Sequence, residues 1–401
     1  MTQAQAQLTV SHHTLTDALK LAALAVPARP NPPILGGVMV ETAAAGTATL
    51  HTYDYDVSAR VTLHASATAD GRSLLMHEDM KKTLAAAASG ETAAVAGRAP
   101  VTVADGTLST PDLTVPLDTG DLKEYPSAPE PAPVMATVDG AALMSALRRV
   151  LPACATDETV WHLTGVHVTL TGKSLRLTAS DRYRLTDAEI PADLTEHAPA
   201  RATAILPGAM LRALHKQLRT YEGPVGIGIL DTAPYVATLT LGHLDLTTRL
   251  LEGEFPSADA LFPKTWHAAL TLPRTAMERA ARKAAALSKV KGGKNNPVII
   301  DWHDTMTIAP KVDADQSAVR GIPVPVPESL APLRGTRLML NGGFLLDALS
   351  TFDGETVTLH IPEPEQDQGP DDLKHVIKPV CFTDGSSASA DYRHLLMAVR
   401  P

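Results

Sequence analysis

Cysteine is nearly absent from this chain: 401 residues hold two, Cys154 and Cys381. They stand 227 apart with no CxxC pair, which excludes a disulfide scaffold and a cysteine-rich zinc site. Long apolar runs are missing too, and none approaches the roughly 20 residues needed to span a bilayer. The N-terminus, Met1-Thr-Gln-Ala-Gln-Ala-Gln-Leu8, lacks the basic and apolar segments of a secretory leader, so a cytoplasmic location is expected. Positive charge is not in excess either. Lys and Arg total 35 against 44 Asp and Glu, a formal net charge of −9, which alone argues against a simple nucleic-acid binder. An acidic exterior can coexist with a basic interior surface, so the placement of the cations matters more than their sum.

Catalytic signatures are equally scarce. Gly292-Gly-Lys294 invites a phosphate-loop reading, but Ser288 stands where the earlier glycine belongs and Asn295 replaces the required Ser or Thr. His12-His13 lies beside Ser11 at a helix start, without metal-ligand partners on its face. Asp54 and Asp56 share a strand face at a domain edge, where turn and cap roles dominate. Cys154 with His162 has no orienting carboxylate, and Asp313-Ala-Asp315 lacks the Gly and distal Glu of a calcium loop. No catalytic residue, metal site or cofactor is expected.

What the chain has instead is one pattern written three times. The first copy reads helix Leu15 to Val26, then Pro33-Ile-Leu-Gly-Gly-Val-Met-Val40, then Ala48 to Asp54. The second reads helix Asp139 to Leu151, then Leu163-Thr-Gly-Val-His-Val-Thr-Leu170, then Ser174 to Asp181. The third, more worn, reads helix Pro273 to Ser288, then Asn296 to Trp302, then Thr305 to Ile308. Gly37 to Gly165 is a step of 128 and Gly165 to Asn296 a step of 131, the mark of a tandem architecture. Proline-rich stretches from Glu124 to Val134 and from Glu254 to Pro263 read as connectors. The expected domains are 1–130, 131–262 and 263–401. A second helix follows in each: Glu78 to Ala87, Pro207 to Arg219 and Gly342 to Phe352. Alternating segments such as Val236 to Leu241 and Thr356 to Ile361 read as strands, spaced too closely for helical crossovers. The fold class is therefore α+β, three repeated domains of two helices packed on antiparallel sheet.

Basic residues concentrate on these helices. Leu143, Leu147, Val150 and Leu151 make an apolar stripe with Arg148 and Arg149 off it. In the third copy the stripe is Met277, Ala281, Ala284 and Leu287, with Arg279, Arg282 and Lys283 opposite. Lys81, Lys82, Arg212, Lys216 and Arg219 decorate the second helices.

Four segments in register on this repeat carry a family resemblance: Pro33-Ile-Leu-Gly-Gly37, Ala179-Ser-Asp-Arg-Tyr-Arg-Leu185, Glu252-Gly-Glu-Phe-Pro256 and His394-Leu-Leu-Met-Ala-Val-Arg400. Together they resemble the bacterial DNA polymerase III beta subunit, the sliding clamp. The resemblance implies clamp-type domains that assemble, as a head-to-tail homodimer, into a six-domain ring with helices lining the hole. Such a ring encircles double-stranded DNA without reading its sequence. It is not an enzyme, and a separate ATP-driven loader opens it. The implied lumen cations are Arg29, Lys81, Lys82, Arg148, Arg149, Lys216, Arg219, Arg279, Arg282, Lys283, Lys289, Lys291 and Lys294. Arg29 is matched by position before the Pro-Ile-Leu-Gly segment; the others rest on helix faces and on the basic Lys289–Asn296 loop.

The resemblance also implies a hydrophobic groove that takes short peptides from polymerase, clamp loader and repair proteins. By motif its wall is His162, Leu163, Ser180, Arg182, Tyr183, Arg184, Leu185, Pro256, Leu261, Asn341, Phe344, Leu395, Met397 and Val399, with Ile377 and Pro379 by a looser match. Its chemistry suits the task, since Leu, Met and Val make an adaptable dry pocket. For the apolar members, ordinary core is the competing reading. Departures from the family pattern include the Met397-Ala-Val-Arg-Pro401 ending, Val160 and His162, and the Leu206-Pro-Gly-Ala helix start without a basic residue. They leave open a divergent second clamp whose altered groove confers resistance to a clamp inhibitor. An interaction scaffold that no longer binds DNA also stays open, as does an enzyme built on Cys154 or Asp54/Asp56.

Overall fold

The computed structural model describes residues 4–67, 69–196, 198–292, 296–313, 315–326, 329–366, 374–385 and 391–400. The repeat markers fall where strands begin. Gly37 opens strand Gly37–Ala43, Gly165 opens Gly165–Thr171, and Asn296 immediately precedes Pro297–Trp302. Eight α-helices are present among the described residues: α1 (His12–Ala22), α2 (His77–Ala87), α3 (Ala93–Arg98), α4 (Gly140–Val150), α5 (Gly208–Leu218), α6 (Ala258–Leu261), α7 (Arg274–Lys291) and α8 (Gly342–Ser350). Short α3 and α6 are additions to the expected two per repeat.

Contacts divide the chain into two compact units, Met1–Met144 with Leu170–Lys173 and Pro191–Leu251, and Ser145–Thr169 with Ser174–Ile190 and Glu252–Pro401. Unit 1 is built on a ten-stranded sheet. At its centre strand Leu244–Arg249 pairs with Val57–His64, in register Leu244↔Val61 to Thr248↔Val57, so strands of the first two repeats share one hydrogen-bonded sheet. In unit 2 the corresponding join pairs Arg184–Pro191 with Tyr392–Leu396, Leu185 opposite Leu395. Among the described residues one pairing departs from the antiparallel pattern: Thr336–Asn341 runs parallel to Lys374–Val376.

Helix boundaries follow local chemistry. Helix α1 begins three residues earlier than its apolar periodicity suggests, because the Ser11 hydroxyl accepts from the Thr14 amide at 3.1 Å and caps the first turn. Leu15 and Leu19 on its inward face are buried, each contributing about 1.5–3 kcal/mol of apolar burial. In α4 the stripe Leu143, Leu147 and Val150 is buried as the 3.6-residue period requires.

Helix α7 corrects two expectations. It continues through Lys291, so Lys289 and Lys291 are helical rather than part of a loop. Leu287 is half exposed, and the buried face closes instead with Met277, Ala280, Ala281, Ala284 and Ser288. The Ser288 hydroxyl donates to Pro297 O at 2.7 Å and accepts from Lys311 N at 3.0 Å, so a polar residue sits inward at no cost in unsatisfied bonds. Asp54 and Asp56 lie in a turn between strands, not on a strand face. Cys154 and Cys381 are buried, and burial pushes the Cys381 thiol up to about 12, which makes it a poor nucleophile.

Candidate nucleic-acid interface and peptide groove

The groove candidates gather around one turn in unit 2. Asp181 follows strand Ser174–Ser180, and its Oδ1 accepts from the amides of Tyr183 and Arg184, both at 3.0 Å. Asp181 N donates to Arg184 O at 3.3 Å, and Arg182 sits in the left-handed region at φ 78. The Ser180 hydroxyl accepts from Arg182 N at 3.2 Å and donates to Arg184 O at 2.9 Å. A bulky residue at positive φ is strained, and these bonds hold it there. The turn thereby lifts Tyr183 into solvent, 57% exposed.

The C-terminal segment lies along this turn. Met397 N donates to Tyr183 O and Val399 N to Met339 O, each at 2.8 Å. Phe344, in the first turn of α8, stacks on Tyr183 with ring centroids 6.3 Å apart, and the Arg184 guanidinium lies 4.4 Å above the Phe344 ring. Asn341 caps α8 by accepting from the Gly343 and Phe344 amides, which fixes where Phe344 starts. Arg184 is itself held by Asp181 at 2.8 Å and Asp347 at 2.6 Å. Arg182 is exposed, its guanidinium 3.9 Å from Asp157.

Leu185 and Leu395 are the floor, buried with Ala258, Phe262 and Cys381. Leu163 and Ser180 are also buried, so these four belong to the core as well as to the predicted wall. Pro256, Leu261 and Met397 are exposed, while His162, Ile377, Pro379 and Val399 are half-buried. His162 reaches the connector at Gly253, where φ is 131 and a Cβ would fall 2.8 Å from the His162 Cβ. Ile377 and Pro379 stand just before strand Val380–Thr383, and among the described residues no hydrogen bond joins them to the turn.

The same backbone frame recurs in unit 1. Asp54 N donates to Val57 O at 3.1 Å, Asp54 Oδ1 accepts from Asp56 N at 3.0 Å and Val57 N at 2.6 Å, and Tyr55 has φ 80. Arg249 N donates to Asp56 O at 2.8 Å and Leu251 N to Ile205 O at 2.9 Å, matching the Met397 and Val399 bonds. The side chains differ. Ser58 and Thr247 are the buried counterparts of Leu185 and Leu395, and exposed Arg249 that of Met397. An apolar floor is therefore confined to unit 2.

The predicted DNA-facing cations divide by their partners. Lys81 and Lys82 pair with Glu78 at 2.7 and 3.5 Å, and Arg282 pairs with Glu278. Arg148 pairs with Asp353 and donates to Ser350 O at 3.2 Å. Arg149 meets Asp384 at 3.1 Å and lies 5.0 Å over the Tyr392 ring. Arg29, Lys216, Arg219, Arg279, Lys283, Lys289 and Lys291 are exposed, and among the described residues none of them is ion-paired. Lys216 and Arg219 project from the face of α5 opposite buried Met210, Leu211 and Leu214. Arg279, Lys283 and Lys289 do the same on α7 opposite Met277, Ala281 and Ala284. Lys294 lies outside the described residues.

Sequence reasoning missed the acids Asp347, Asp353 and Asp384, which hold Arg184, Arg148 and Arg149. None stands at helical spacing from its cation, so no sequence signal marked them.

Buried His394 and half-buried His51 give the chain an acid limit. Burial, with the Arg184 charge, holds His394 down at about 3, and burial with the charge of Arg60 holds His51 at about 4. Both stay neutral in the folded chain while unfolded histidines protonate near 6.5. The stability they leave intact above that value is lost as pH falls toward 4, by up to about 1.4 kcal/mol per pH unit per histidine. Thermal melting at about pH 7.5 and about pH 5 is expected to show this drop, and His394→Gln to lessen it; an unchanged acid slope would refute the assignment.

Comparison with known proteins shows what the chain is similar to. Residues 137–257 match the family model for the DNA polymerase III beta subunit, central domain. A beta sliding clamp of Micrococcus luteus is 32% identical over 71% of this chain and 88% of its own length. One of Streptomyces coelicolor is 26% identical over 98% of this chain and 99% of its own. Among solved structures, the beta subunit of DNA polymerase from Streptococcus pyogenes superposes with a TM-score of 0.81 at 19% identity, covering 98% of this chain and all of the other.

Proposed function

Because the chain belongs to the beta sliding clamp family of bacterial DNA polymerase III, we propose that it works as the ring-forming processivity factor that keeps polymerase on its template. Three clamp-type domains, 1–130, 131–262 and 263–401, would join with a second copy, head to tail, to close a six-domain ring in the cytoplasm. Heterologous contacts of that kind close when the rotation between subunits permits. The ring holds duplex DNA by topology, so each contact can be weak. Cations on α5 and α7 meet phosphates through charge, without base readout, and the clamp slides. Its role is non-catalytic, with no cofactor.

The observation that carries this reading is the end-to-end likeness to sliding clamps, joined to unpaired cations on exposed helix faces in a chain of net charge −9. The groove around Tyr183 and Met397 is the proposed dock for short peptide motifs of polymerase, loader and repair proteins. Support comes from its exposed Tyr, Leu and Met over an apolar floor.

Loaded onto a nicked circular plasmid, the protein is expected to stay bound through gel filtration and to leave when the plasmid is cut once. Only a topological link is lost at a DNA end. Equal retention on circular and linear DNA would overturn the reading.

A further inference from the structure

The connector Glu252–Phe262 supplies Pro256 and Leu261 to the groove, and among the described residues a cluster of four charges ties it to the sheet beneath. Arg176 lies on strand Ser174–Ser180 and is gripped from two sides. Its Nε and Nη2 donate to Asp187 Oδ1 at 2.6 Å and Oδ2 at 2.8 Å. Its Nη1 and Nη2 donate to Asp259 Oδ2 at 3.1 Å and Oδ1 at 2.7 Å. Arg393, on the strand that carries Leu395, donates to Asp187 Oδ2, stands 3.7 Å from Asp259 Oδ1 and lies 3.9 Å over the ring of Phe262.

The sheet side of this cluster is rigid. Asp187 is 7% exposed in its side chain and also accepts from the Thr178 hydroxyl at 3.1 Å. Asp259, 70% exposed, is the one member on the connector. It sits within α6, between Ala258 and Phe262, which pack on Leu185 and Leu395, and two residues before Leu261. The Arg176 guanidinium holds the Asp259 carboxyl below the usual carboxylate range. The matching connector of unit 1 is tied differently: the Tyr125 hydroxyl accepts from Tyr53 N at 3.0 Å, Ala132 N donates to the Thr238 hydroxyl at 2.8 Å, and its ion pair, Arg60 with Glu130 at 3.3 Å, ends on a side chain that is 84% exposed.

We propose that Arg176 and Asp259 form a latch, two positioning residues that set the height of the connector and hence the width of the peptide groove. The latch touches no peptide; it acts through Leu261 and Pro256. It rests on the groove reading above and adds to it two residues that neither the motifs nor the apolar lining would pick.

Fluorescence anisotropy of a labelled consensus clamp-binding peptide tests this on the full chain. Asp259→Asn keeps size and polarity but removes a charge-assisted pair, so affinity is expected to fall about tenfold. Asp259→Glu is expected to restore it to within about threefold, a recovery that a general packing defect would not show. Raising salt from about 50 to about 500 mM should weaken the unaltered protein and leave the Asn variant nearly unchanged, because screening acts on the exposed pair. Retention on nicked circular DNA should be the same for all three. Met397→Ala serves as the groove control. If it weakens the peptide while Asp259→Asn does not, the latch is overturned and the groove stands. If neither has an effect, the groove reading falls and the latch with it. A loss in Asp259→Asn that Glu does not recover and salt does not mimic also overturns the latch.

Discussion

Replacing Lys216, Arg219, Arg279 and Lys283 together by glutamate is expected to cut affinity for a linear duplex by at least about 100-fold. These four are chosen over the other candidates because they are exposed, unpaired and opposite the buried faces of α5 and α7. A phosphate meets such a cation directly. At Arg148, Arg149, Arg282, Lys81 and Lys82 it must first displace a carboxylate already in place. Neutralising that second set is expected to weaken DNA binding far less. The check is the salt dependence of affinity for a linear duplex. Each lost phosphate contact flattens the log–log slope by about 0.9, so the four-site variant should lose about three to four per protomer. An unchanged slope would mean that these helix faces do not meet DNA.

The second large effect is expected at the groove. Tyr183→Ala removes the exposed ring that stacks on Phe344, and Met397→Asp places a charge beside the turn. Buried aromatic and apolar anchors at such sites are worth about 2 kcal/mol or more each, so the double variant should lose at least about 100-fold in peptide affinity. DNA retention should persist, because neither residue lies on a basic helix face. The equivalent pair in unit 1, Asp56 and Arg249, provides the contrast: alanine at both should leave peptide binding as it was. Equal losses at the two sites would mean that the apolar floor is not what recognises the peptide.

Much of this arrangement was legible in the residues. The step between Gly37, Gly165 and Asn296 located three equivalent strand starts, and apolar stripes marked α4 and α7. The turn around Arg182 and Tyr183 was marked by its motif. What stayed hidden depends on partners remote in sequence. Arg176 meets Asp259 because α6 of the connector packs over the strand that carries Arg176, and Arg149 meets Asp384 because α4 lies beside the end of strand Val380–Thr383. Leu287 read as inward on hydrophobicity, yet Ser288 takes the inward place because two backbone groups nearby need a hydroxyl. The start of α1 was set by the Ser11 cap rather than by any apolar residue. Backbone satisfaction outweighed side-chain pattern in both cases.

The left-handed residue at the rim turn is arginine in one copy and tyrosine in the other, at φ 78 and φ 80. Two side chains so unlike share one conformation because main-chain bonds and a single aspartate define the loop. Mutation at this exposed tip can then alter what is recognised without reshaping the support beneath it. On the groove reading proposed above, substitutions at the rim are expected to change docking preference while the backbone frame stays constant.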